Sequence, residues 1–569
     1  MRRGHDSDAG RSHGIALAVV GISVLALGLS TSQAQIVIPQ VPIQVQYMPY
    51  TILHNFDCTK YASGQVAPDG CTPDGPGFLA QGRDGNLYGT VPTGGNLLYP
   101  KYNGGTIFSI GPIAPFPFAV SYTLGSNSGD GTTSHSGLTL GMDGVFYGTA
   151  EYGGASSSGK GSVFSLGGNG FSTVQPVFTN GMDGGYPWAP PIQAPDGNLY
   201  GVTNGGTTKG VVYRATPTTG VSPIAALGVN TTAALVPGFD GNLYGTTQAG
   251  SVSAQGVFSP IGGGTIFRIP MSATGSVQPT FLHNFDPNKT VLSANGQQVL
   301  DGGSPKGPVM FGHDGNLYGT TSAGGSAGYG VVYQLNPNTG AYKLLHTFPL
   351  VTVNNVATAP DGSGSESGLV QGSDGFLYGV AAGGGRNGVG TLFKVDTAGA
   401  NFQVLWSFGN TIQCPNNVTA NDGSFPHSTP TLHTNGKIYG MTQKGGCRTA
   451  YGTIYSFDAG LKPFASIVGG SRVVSVGSKV GVIGQGFNTA TGVLLGSSTP
   501  LGKLAVQVLS DTYMVVTVPR LVGPSSITVL MPSGTVMTPQ VVSTSPPQCG
   551  TVIVGCRQLP SLPPRKLGP

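Results

Sequence analysis

The chain has 569 residues, of which 96 are Gly and 43 are Pro, and only 8% are charged, with a formal net charge of +4. This length exceeds one ordinary domain, and so weak a charge argues against nucleic acid as a partner. Hydrophobic residues still make up 38% and recur between the glycines, which favours short strands and tight turns over disorder. No long segment after the N-terminus has a 3.6-residue apolar period, so little helix is predicted.

The N-terminus is organised like a secretory signal peptide. Three arginines lie in the first eleven residues, an apolar run spans Gly14 to Leu29, and Ser32-Gln33-Ala34 is a small-x-small cleavage site. Residues 1–34 are therefore predicted to be a signal peptide, and the mature protein to be secreted, periplasmic or on the cell surface. A retained membrane anchor is the alternative, but the run is short for a bilayer span, and no membrane insertion is expected after cleavage.

A six-residue motif, Asp-Gly-Asn-Leu-Tyr-Gly, recurs with variants and dominates the organisation of the chain. A short apolar run precedes each copy, and a Gly-rich loop, a Gly-Thr-Ile-Phe-like run and a fourth apolar run follow it. Four short strands in a repeated unit are typical of a propeller blade, and we name them strands A to D. The seven copies begin at Asp84, Asp143, Asp196, Asp240, Asp314, Asp374 and Asn435.

The two ends of the repeat predict how the ring closes. The last copy ends with a C strand at Gly452 to Phe457 and has no D strand, whereas an unassigned D-like run, Tyr50 to Phe56, precedes the first copy. The N-terminal run is expected to complete the last blade and to cover its open edge. Residues 35–460 are therefore predicted to be an all-β, seven-bladed β-propeller. Each motif Asp or Asn is expected to cap its own A–B turn rather than to bind Ca²⁺.

The repeat resembles the GloVer tandem-repeat family of exported bacterial proteins over roughly residues 50–457. The resemblance rests on the full order Asp-Gly-Asn-Leu-Tyr-Gly-Thr, Gly-Gly, Gly-Thr-Ile-Phe, and it implies export and a C-terminal surface anchor. The tail has no terminal hydrophobic run or sorting signal to match that anchor. The fourth repeat also departs from the pattern, because Val229 to Pro237 lacks the Asp-Gly-x-x-Pro lead-in.

Residues 464–542 change to short alternating strands, such as Val473 to Phe487 and Asp511 to Pro519. Their order resembles an immunoglobulin-like IPT/TIG domain. The resemblance implies a small β-sandwich that serves as a spacer or a partner-binding module. Residues 543–569 are predicted to be a Pro-rich tail.

The six cysteines fall into three neighbouring pairs along the chain, and export favours disulfides. A metal site is disfavoured because there is no Cys-x-x-Cys spacing and no nearby His cluster, and no cofactor is predicted. The hypothesis is that the neighbours are paired, as Cys58 with Cys71, Cys414 with Cys447, and Cys549 with Cys556.

Propeller topology sorts the loops onto two faces. The uniform A–B turns share one face with the C–D turns, and the variable Gly-rich B–C loops share the other with the D–A connections. Binding is expected on the second face. Its recurring Asp-Gly-x-x-Pro or Ser segments offer aspartates that either bind a sugar or cation at the channel mouth or stabilise their own turns, and nearby aromatic rings either stack on sugars or pack. These candidates are Asp130, Asp183, Asp301, Asp361, Asp422, Tyr186, Trp188 and Phe425.

Catalysis has weaker support, and no catalytic residue is assigned. His54, His283 and His346 recur at one position of strand D, and repetition predicts packing rather than an active site. Glycoside chemistry would need a carboxylate pair, and the candidates for such an enzyme are Glu151, Glu366, Lys306 and Arg386.

The sequence thus predicts an exported binding protein whose loop face engages an extracellular polysaccharide or a cell-envelope protein. One alternative is a polysaccharide lyase or hydrolase that uses the channel mouth. The other is a structural or adhesive repeat protein without a discrete ligand. Fold alone does not choose among them.

Overall fold

A computed structural model describes residues 49–543 with gaps at 58–66, 76, 96–103, 128, 155–158, 169, 175–176, 217–219, 239, 253–257, 260–261, 274, 354–355, 448–450, 470–471, 497–498, 501–504 and 519–522. The predicted signal peptide and residues 544–569 of the predicted tail lie outside this part. Helix within it is limited to two 3₁₀ turns, Pro415–Asn417 and Phe487–Thr489. No described helix is long and apolar enough to cross a membrane. The fold is all-β, as predicted.

The repeats form four-stranded antiparallel sheets, and in six of them strands A to D follow in chain order. The first three are sheet 1 (Ala80–Gln81, Leu87–Val91, Thr106–Ile110, Phe118–Thr123), sheet 2 (Thr139–Leu140, Phe146–Ala150, Ser162–Gly167, Gly170–Val174) and sheet 3 (Ile192–Gln193, Leu199–Thr203, Val211–Thr216, Gly220–Ala226).

The next three sheets have the same order of strands. They are sheet 4 (Val236–Pro237, Asn242–Thr247, Thr265–Pro270, Thr280–Asn284), sheet 5 (Met310–Phe311, Leu317–Thr321, Val331–Leu335, Tyr342–Thr347) and sheet 6 (Val370–Gln371, Leu377–Ala381, Thr391–Val395, Phe402–Ser407).

Sheet 7 combines the two ends of the repeat region. Its strands A to C are Thr431–Leu432, Ile438–Thr442 and Thr453–Phe457. Its strand D is the N-terminal strand Tyr50–Asn55, which pairs antiparallel with strand C in the register Tyr50 to Phe457. The segment that precedes the first repeat therefore supplies the fourth strand of the last one.

The B–C loops and D–A connections also contain short two-stranded antiparallel ladders. Three of them join a D–A connection to the B–C loop of the sheet that follows it: Ala67–Cys71 with Thr93–Gly95, Gly131–Thr132 with Tyr152–Gly153, and Gly302–Gly303 with Ala323–Gly324. The others are hairpins within one loop: Ser251–Val252 with Phe258–Ser259, Thr290–Leu292 with Gln298–Leu300, Val351–Val353 with Val356–Thr358, and Thr411–Gln413 with Thr419–Asn421.

The motif aspartates cap the A–B turns. In sheet 3 the Asp196 carboxylate accepts the backbone N–H of Asn198 at 3.0 Å and the Tyr200 hydroxyl at 2.7 Å. Burial and this carboxylate raise the pKa of Tyr200 to about 12, so the phenol stays a donor. The same pair of bonds recurs in the other motif copies that begin with Asp. The oxygens that a Ca²⁺ site would need are thus occupied within each turn.

Apolar cores lie between neighbouring sheets. The Tyr of strand B on one sheet packs against strands B and C of the next, as Tyr244 does against Leu317 and Tyr333. The same packing joins the end of the repeat region to its start, because Tyr439 of sheet 7 shares a core with Leu87 of sheet 1. Burial of these large side chains is the main stabilising contribution.

Six of the seven D–A connections, all except that of sheet 4, are also bonded to the preceding sheet. In each of them, the third residue after the Asp of the Asp-Gly-x-x-Pro or Ser segment adopts left-handed φ. Its N–H donates to a carbonyl in the B–C loop of the preceding sheet, as that of Tyr186 (φ 55°) does to Lys160 at 2.7 Å. Thr72 makes the equivalent bond from sheet 1 to Tyr451 of sheet 7 at 3.0 Å. The residues at this position are Thr72, Thr133, Tyr186, Ser304, Gly364 and Phe425.

One predicted disulfide is confirmed. Cys414 and Cys447 are bonded with an S–S distance of 2.06 Å, which ties a D–A hairpin to the B–C loop of sheet 7. Cys71 is also disulfide-bonded. Cys58, Cys549 and Cys556 lie outside the described residues, so the two other pairings stay predictions.

The C-terminal region forms two sheets around one core. The first holds Ser466–Ile467, Lys479–Ile483, Tyr513–Thr517 and Val506–Ser510, and the second holds Arg472–Val473, Gly534–Ser543, Ser525–Met531, Gly492–Leu495 and Thr499–Pro500. Val480 and Met514 of the first sheet pack with Val529 of the second, and all three are fully buried.

This C-terminal unit packs on the A–B turns of sheets 1, 2 and 7. Arg83 of sheet 1 lies over the Tyr513 ring at 4.5 Å, and its carbonyl accepts the Thr512 hydroxyl at 2.6 Å. Gln485 donates to Thr434 of sheet 7 at 3.0 Å. A cavity of about 220 Å³ lies between the C-terminal unit and these sheets. These A–B turns are therefore covered by the C-terminal unit.

Candidate ligand-binding face

The predicted aspartates of the D–A connections are held by the outermost strands. Asp301, which is 1% exposed, accepts the Tyr342 hydroxyl at 2.8 Å and lies 3.1 Å from His283 Nε2. Asp422 accepts the Trp406 indole N–H at 3.0 Å, and burial raises its pKa. Their oxygens thus stabilise the junction between neighbouring D strands.

The three other predicted aspartates have comparable partners. Asp130 accepts the Tyr122 hydroxyl at 2.7 Å, Asp183 accepts the Thr179 hydroxyl at 2.7 Å, and Asp361 lies 3.1 Å from His346 Nε2. These contacts favour the turn-stabilising alternative over direct ligand binding for all five aspartates.

The strand-D histidines pack, as their repetition predicts. Each stacks on the aromatic ring that begins the next sheet's strand D, as His346 does on Phe402 with centroids 3.6 Å apart. Tyr122 and Trp406 occupy the same position in sheets without the His. The stacked pairs are His54–Phe118, Tyr122–Phe171, His283–Tyr342, His346–Phe402 and Trp406–Tyr50.

In six of the seven sheets, a side chain that sequence analysis did not bring together with the others lies two residues beyond the left-handed position, and Thr232 is taken as the counterpart in sheet 4. We call this set the mouth ring. Several neighbouring members touch: His135 Nδ1 lies 2.8 Å from Asp74 Oδ1, and Glu366 contacts both Lys306 and His427. The members, one for each sheet in chain order, are Asp74, His135, Trp188, Thr232, Lys306, Glu366 and His427.

The first cluster of the mouth ring centres on His135. Its imidazole stacks on Trp188 at 4.6 Å and lies 3.3 Å from the Glu151 carboxylate. Burial opposes the charge on this imidazole, but its hydrogen bonds to Asp74 and Glu151 raise the pKa of His135 to about 9. His135 is therefore an imidazolium at neutral pH, and it lies between the carboxylates of Asp74 and Glu151.

The second cluster centres on Glu366, between Lys306 and His427. Burial opposes its charge, but the hydrogen bonds to His427 and Lys306 lower the pKa of Glu366 to about 2. Of the enzyme candidates, the fold joins Lys306 with Glu366, whereas Glu151 belongs to the first cluster. No group of three or more His, Cys, Asp or Glu in the described chain is placed to hold a metal ion.

Phe78 lies close to Thr232 of the mouth ring. Its side chain lies among residues of sheets 3, 4 and 5, and the gap between them is too narrow to admit a water molecule. The residues around Phe78 are Ala189, Pro190, Thr232, Ala234 and Pro308.

The predicted aromatic candidates border the mouth ring. Tyr186 and Phe425 hold the left-handed positions of sheets 3 and 7, and a lysine amine lies 5.5 Å from each ring centroid, Lys160 for Tyr186 and Lys444 for Phe425. Trp188 has one face covered by His135. Stacking of a ligand on these rings stays a prediction.

His135 makes stability depend on pH. Its pKa is raised from about 6.5 to about 9 on folding, so its contribution is complete below pH 6.5 and is lost as the pH rises through 9. We expect His135→Gln to lower the free energy of unfolding by roughly 3 kcal/mol at pH 6 and by much less at pH 10. Urea unfolding of both proteins at the two pH values measures this. An equal loss at both would contradict it.

Repeated four-stranded sheets with a polar ring on one face define an all-β tandem-repeat protein. The profile of the Gloeobacter/Verrucomicrobia repeat matches residues 75–300, 155–359 and 228–418, so the matches together span more than half of the chain. The chain belongs to this repeat family. A search for related curated proteins found no match.

Solved structures offer only distant likenesses. A fungal alcohol oxidase of the AA5 family, solved in complex with copper, is 14% identical over 83% of this chain and 98% of its own, with a TM-score of 0.40. TolB from Acinetobacter baumannii is 13% identical over 54% of this chain and 62% of its own, with a TM-score of 0.29. At these values neither structure defines the fold or the activity of this chain.

Proposed function

We propose that this chain is an exported, seven-bladed β-propeller whose mouth ring binds an extracellular polysaccharide. Sheets 1 to 7 are the blades, and the N-terminal strand closes the ring. Three contacts support closure: strand Tyr50–Asn55 pairs within sheet 7, Thr72 bonds to Tyr451, and Tyr439 shares a core with Leu87.

The C-terminal unit is proposed to be an IPT/TIG-like sandwich. Its two packed sheets around Val480, Met514 and Val529 fit that fold. Its contacts with Arg83 and Thr434 make it a rigid base for the propeller rather than a free spacer. The Cys414–Cys447 disulfide supports a location outside the cytoplasm, where such bonds persist.

The observation that carries the binding proposal is the chemistry of the mouth ring. The motif around each member is repeated, yet the members differ in charge, size and hydrogen-bonding capacity. Packing between identical blades does not require such variety, whereas an asymmetric ligand does. The aromatic rings that border the mouth ring or belong to it, Tyr186, Phe425 and Trp188, favour a ligand whose sugar rings can stack on them, as those of a polysaccharide would.

The charges of the mouth ring suit binding better than acid–base catalysis. A general acid or base works best when its pKa is near the working pH. Glu366, with a pKa of about 2, stays ionised, and His135, with a pKa of about 9, stays protonated. The pKa of Glu151 is also lowered, because the effect of burial is opposed by its hydrogen bond to His135 and by the charge of that imidazolium.

Retention of the mature protein on immobilised extracellular polysaccharides tests the proposal. Trp188→Ala and His427→Ala, which lie in different clusters of the mouth ring, are each expected to weaken retention at least tenfold, about 1.4 kcal/mol. Lys394→Ala, on strand C of sheet 6, is the control and should bind like the unaltered protein. Thermal unfolding confirms that each variant is folded.

Two results would overturn the proposal. One is that no polysaccharide of the panel retains the protein. The other is that both mouth-ring variants are retained as well as Lys394→Ala, which would place binding elsewhere on the molecule.

A further inference from the structure

The carboxylates of the ligand-binding face already have partners within the protein. In the mouth ring, His135 holds Asp74 and Glu151, and Lys306 and His427 hold Glu366. In the D–A connections, the aspartates bind strand-D donors or local hydroxyls. These carboxylates therefore already have bonding partners before any ligand arrives.

The cations of the B–C loops, in contrast, have no carboxylate partner among the described residues. In the part of the chain that the structure describes, Lys160, Lys209, Arg386 and Lys444 form no ion pair with a carboxylate. They lie in the B–C loops of sheets 2, 3, 6 and 7, on the same face as the mouth ring. These four cations are therefore available to pair with anionic groups of a ligand.

Two of these lysines occupy matching places. Lys160 lies over Tyr186 and Lys444 over Phe425, both at 5.5 Å from the ring centroid, and the two aromatic residues hold equivalent left-handed positions of sheets 3 and 7. Each pair adjoins one cluster of the mouth ring, Tyr186 that of His135 and Phe425 that of His427. An aromatic ring beneath an ammonium group presents an apolar surface and a positive charge together.

We infer that the polysaccharide is anionic, with carboxylate or sulfate groups that pair with Lys160 and Lys444 while its sugar rings lie across the mouth ring. This inference rests on the proposed function and adds the ligand's charge to it. A chain long enough to engage both lysines gains from two linked contacts, so loss of both lysines should weaken binding more than loss of either one.

Affinity electrophoresis of the mature protein tests the inference with polygalacturonate, dextran sulfate and neutral dextran at low ionic strength. The protein is expected to be retarded by at least one anionic polymer at a concentration at least tenfold lower than by dextran. The double variant Lys160→Met/Lys444→Met should lose this preference. Lys394→Met is the matched control, because Lys394 lies over Phe376 at 4.5 Å in sheet 6 but outside the B–C loops.

Each outcome decides a separate point. Retardation by polygalacturonate identifies carboxylate, and retardation by dextran sulfate alone identifies sulfate; both support the inference. Equal retardation by dextran, or a double variant that behaves like Lys394→Met, overturns the inference and leaves the proposed function intact. Double-stranded DNA that retards the protein as strongly as the glycans overturns recognition of a sugar chain. No retardation by any polysaccharide counts against the proposed function itself.

Discussion

Replacement of Tyr50 by alanine is expected to lower the free energy of unfolding by about 3–5 kcal/mol, the usual cost of removing a large buried aromatic side chain. Tyr50 is 8% exposed, stacks on Trp406 at 4.8 Å and also on Tyr455. Its hydroxyl donates to the Asp422 carbonyl at 2.6 Å. The substitution therefore loosens the strand that completes sheet 7.

Two companion variants separate the contributions at this position. Tyr50→Phe keeps the stacking and loses one hydrogen bond, so a loss of about 1 kcal/mol is expected. Thr51→Ala, at an exposed site of the same strand, should change stability by less than about 0.5 kcal/mol. Urea unfolding measures all three. If Tyr50→Ala unfolds like Thr51→Ala, the N-terminal strand is not part of the cooperatively folded unit.

A similarly large effect is expected for Gly390→Ala in the B–C loop of sheet 6. Gly390 has φ 116°, and a Cβ there would lie 2.5 Å from Pro426 Cδ and 2.8 Å from the Ala381 carbonyl oxygen. Pro426 belongs to the D–A connection that is fastened to this loop. Left-handed strain and overpacking together predict a loss of about 3–5 kcal/mol.

Gly388 provides the matched control within the same loop. It also has positive φ, 75°, but a Cβ there meets nothing within 4 Å, so Gly388→Ala should cost only the backbone strain, about 1–2 kcal/mol. The shift in thermal midpoint of each variant measures the difference. Equal shifts would mean that the contact between neighbouring sheets contributes little.

Local rules account for what could be predicted from the sequence. The Asp-Gly motif specifies its own turn, because Asp196 and Tyr200 are only four residues apart and bond to each other. The missing strand of the last repeat could be matched to the N-terminal run because both have the pattern of strand D. The histidines could be assigned to packing because one position recurs in several repeats.

The mouth ring could not be recognised in the same way, because its contacts join residues of different repeats. Asp74 and His135 are 61 positions apart, and no local pattern links them. A signal was present, since the residue after the Pro or Ser of each Asp-Gly-x-x-Pro segment varies while its surroundings repeat. The contact between the C-terminal unit and the A–B turns could not be predicted from the sequence either, because Arg83 resembles an ordinary turn residue.

Sheet 7 takes its strands from both ends of the repeat region, and this affects how the chain folds. Strand Tyr50–Asn55 is synthesised early, yet its partner Thr453–Phe457 follows only after all the intervening repeats. Until then both edges expose unpaired backbone groups that can join any other strand. At high concentration, the N-terminal strand of one molecule can complete the last sheet of another. Refolding from denaturant should therefore yield strand-exchanged dimers as a by-product, in a proportion that rises with protein concentration.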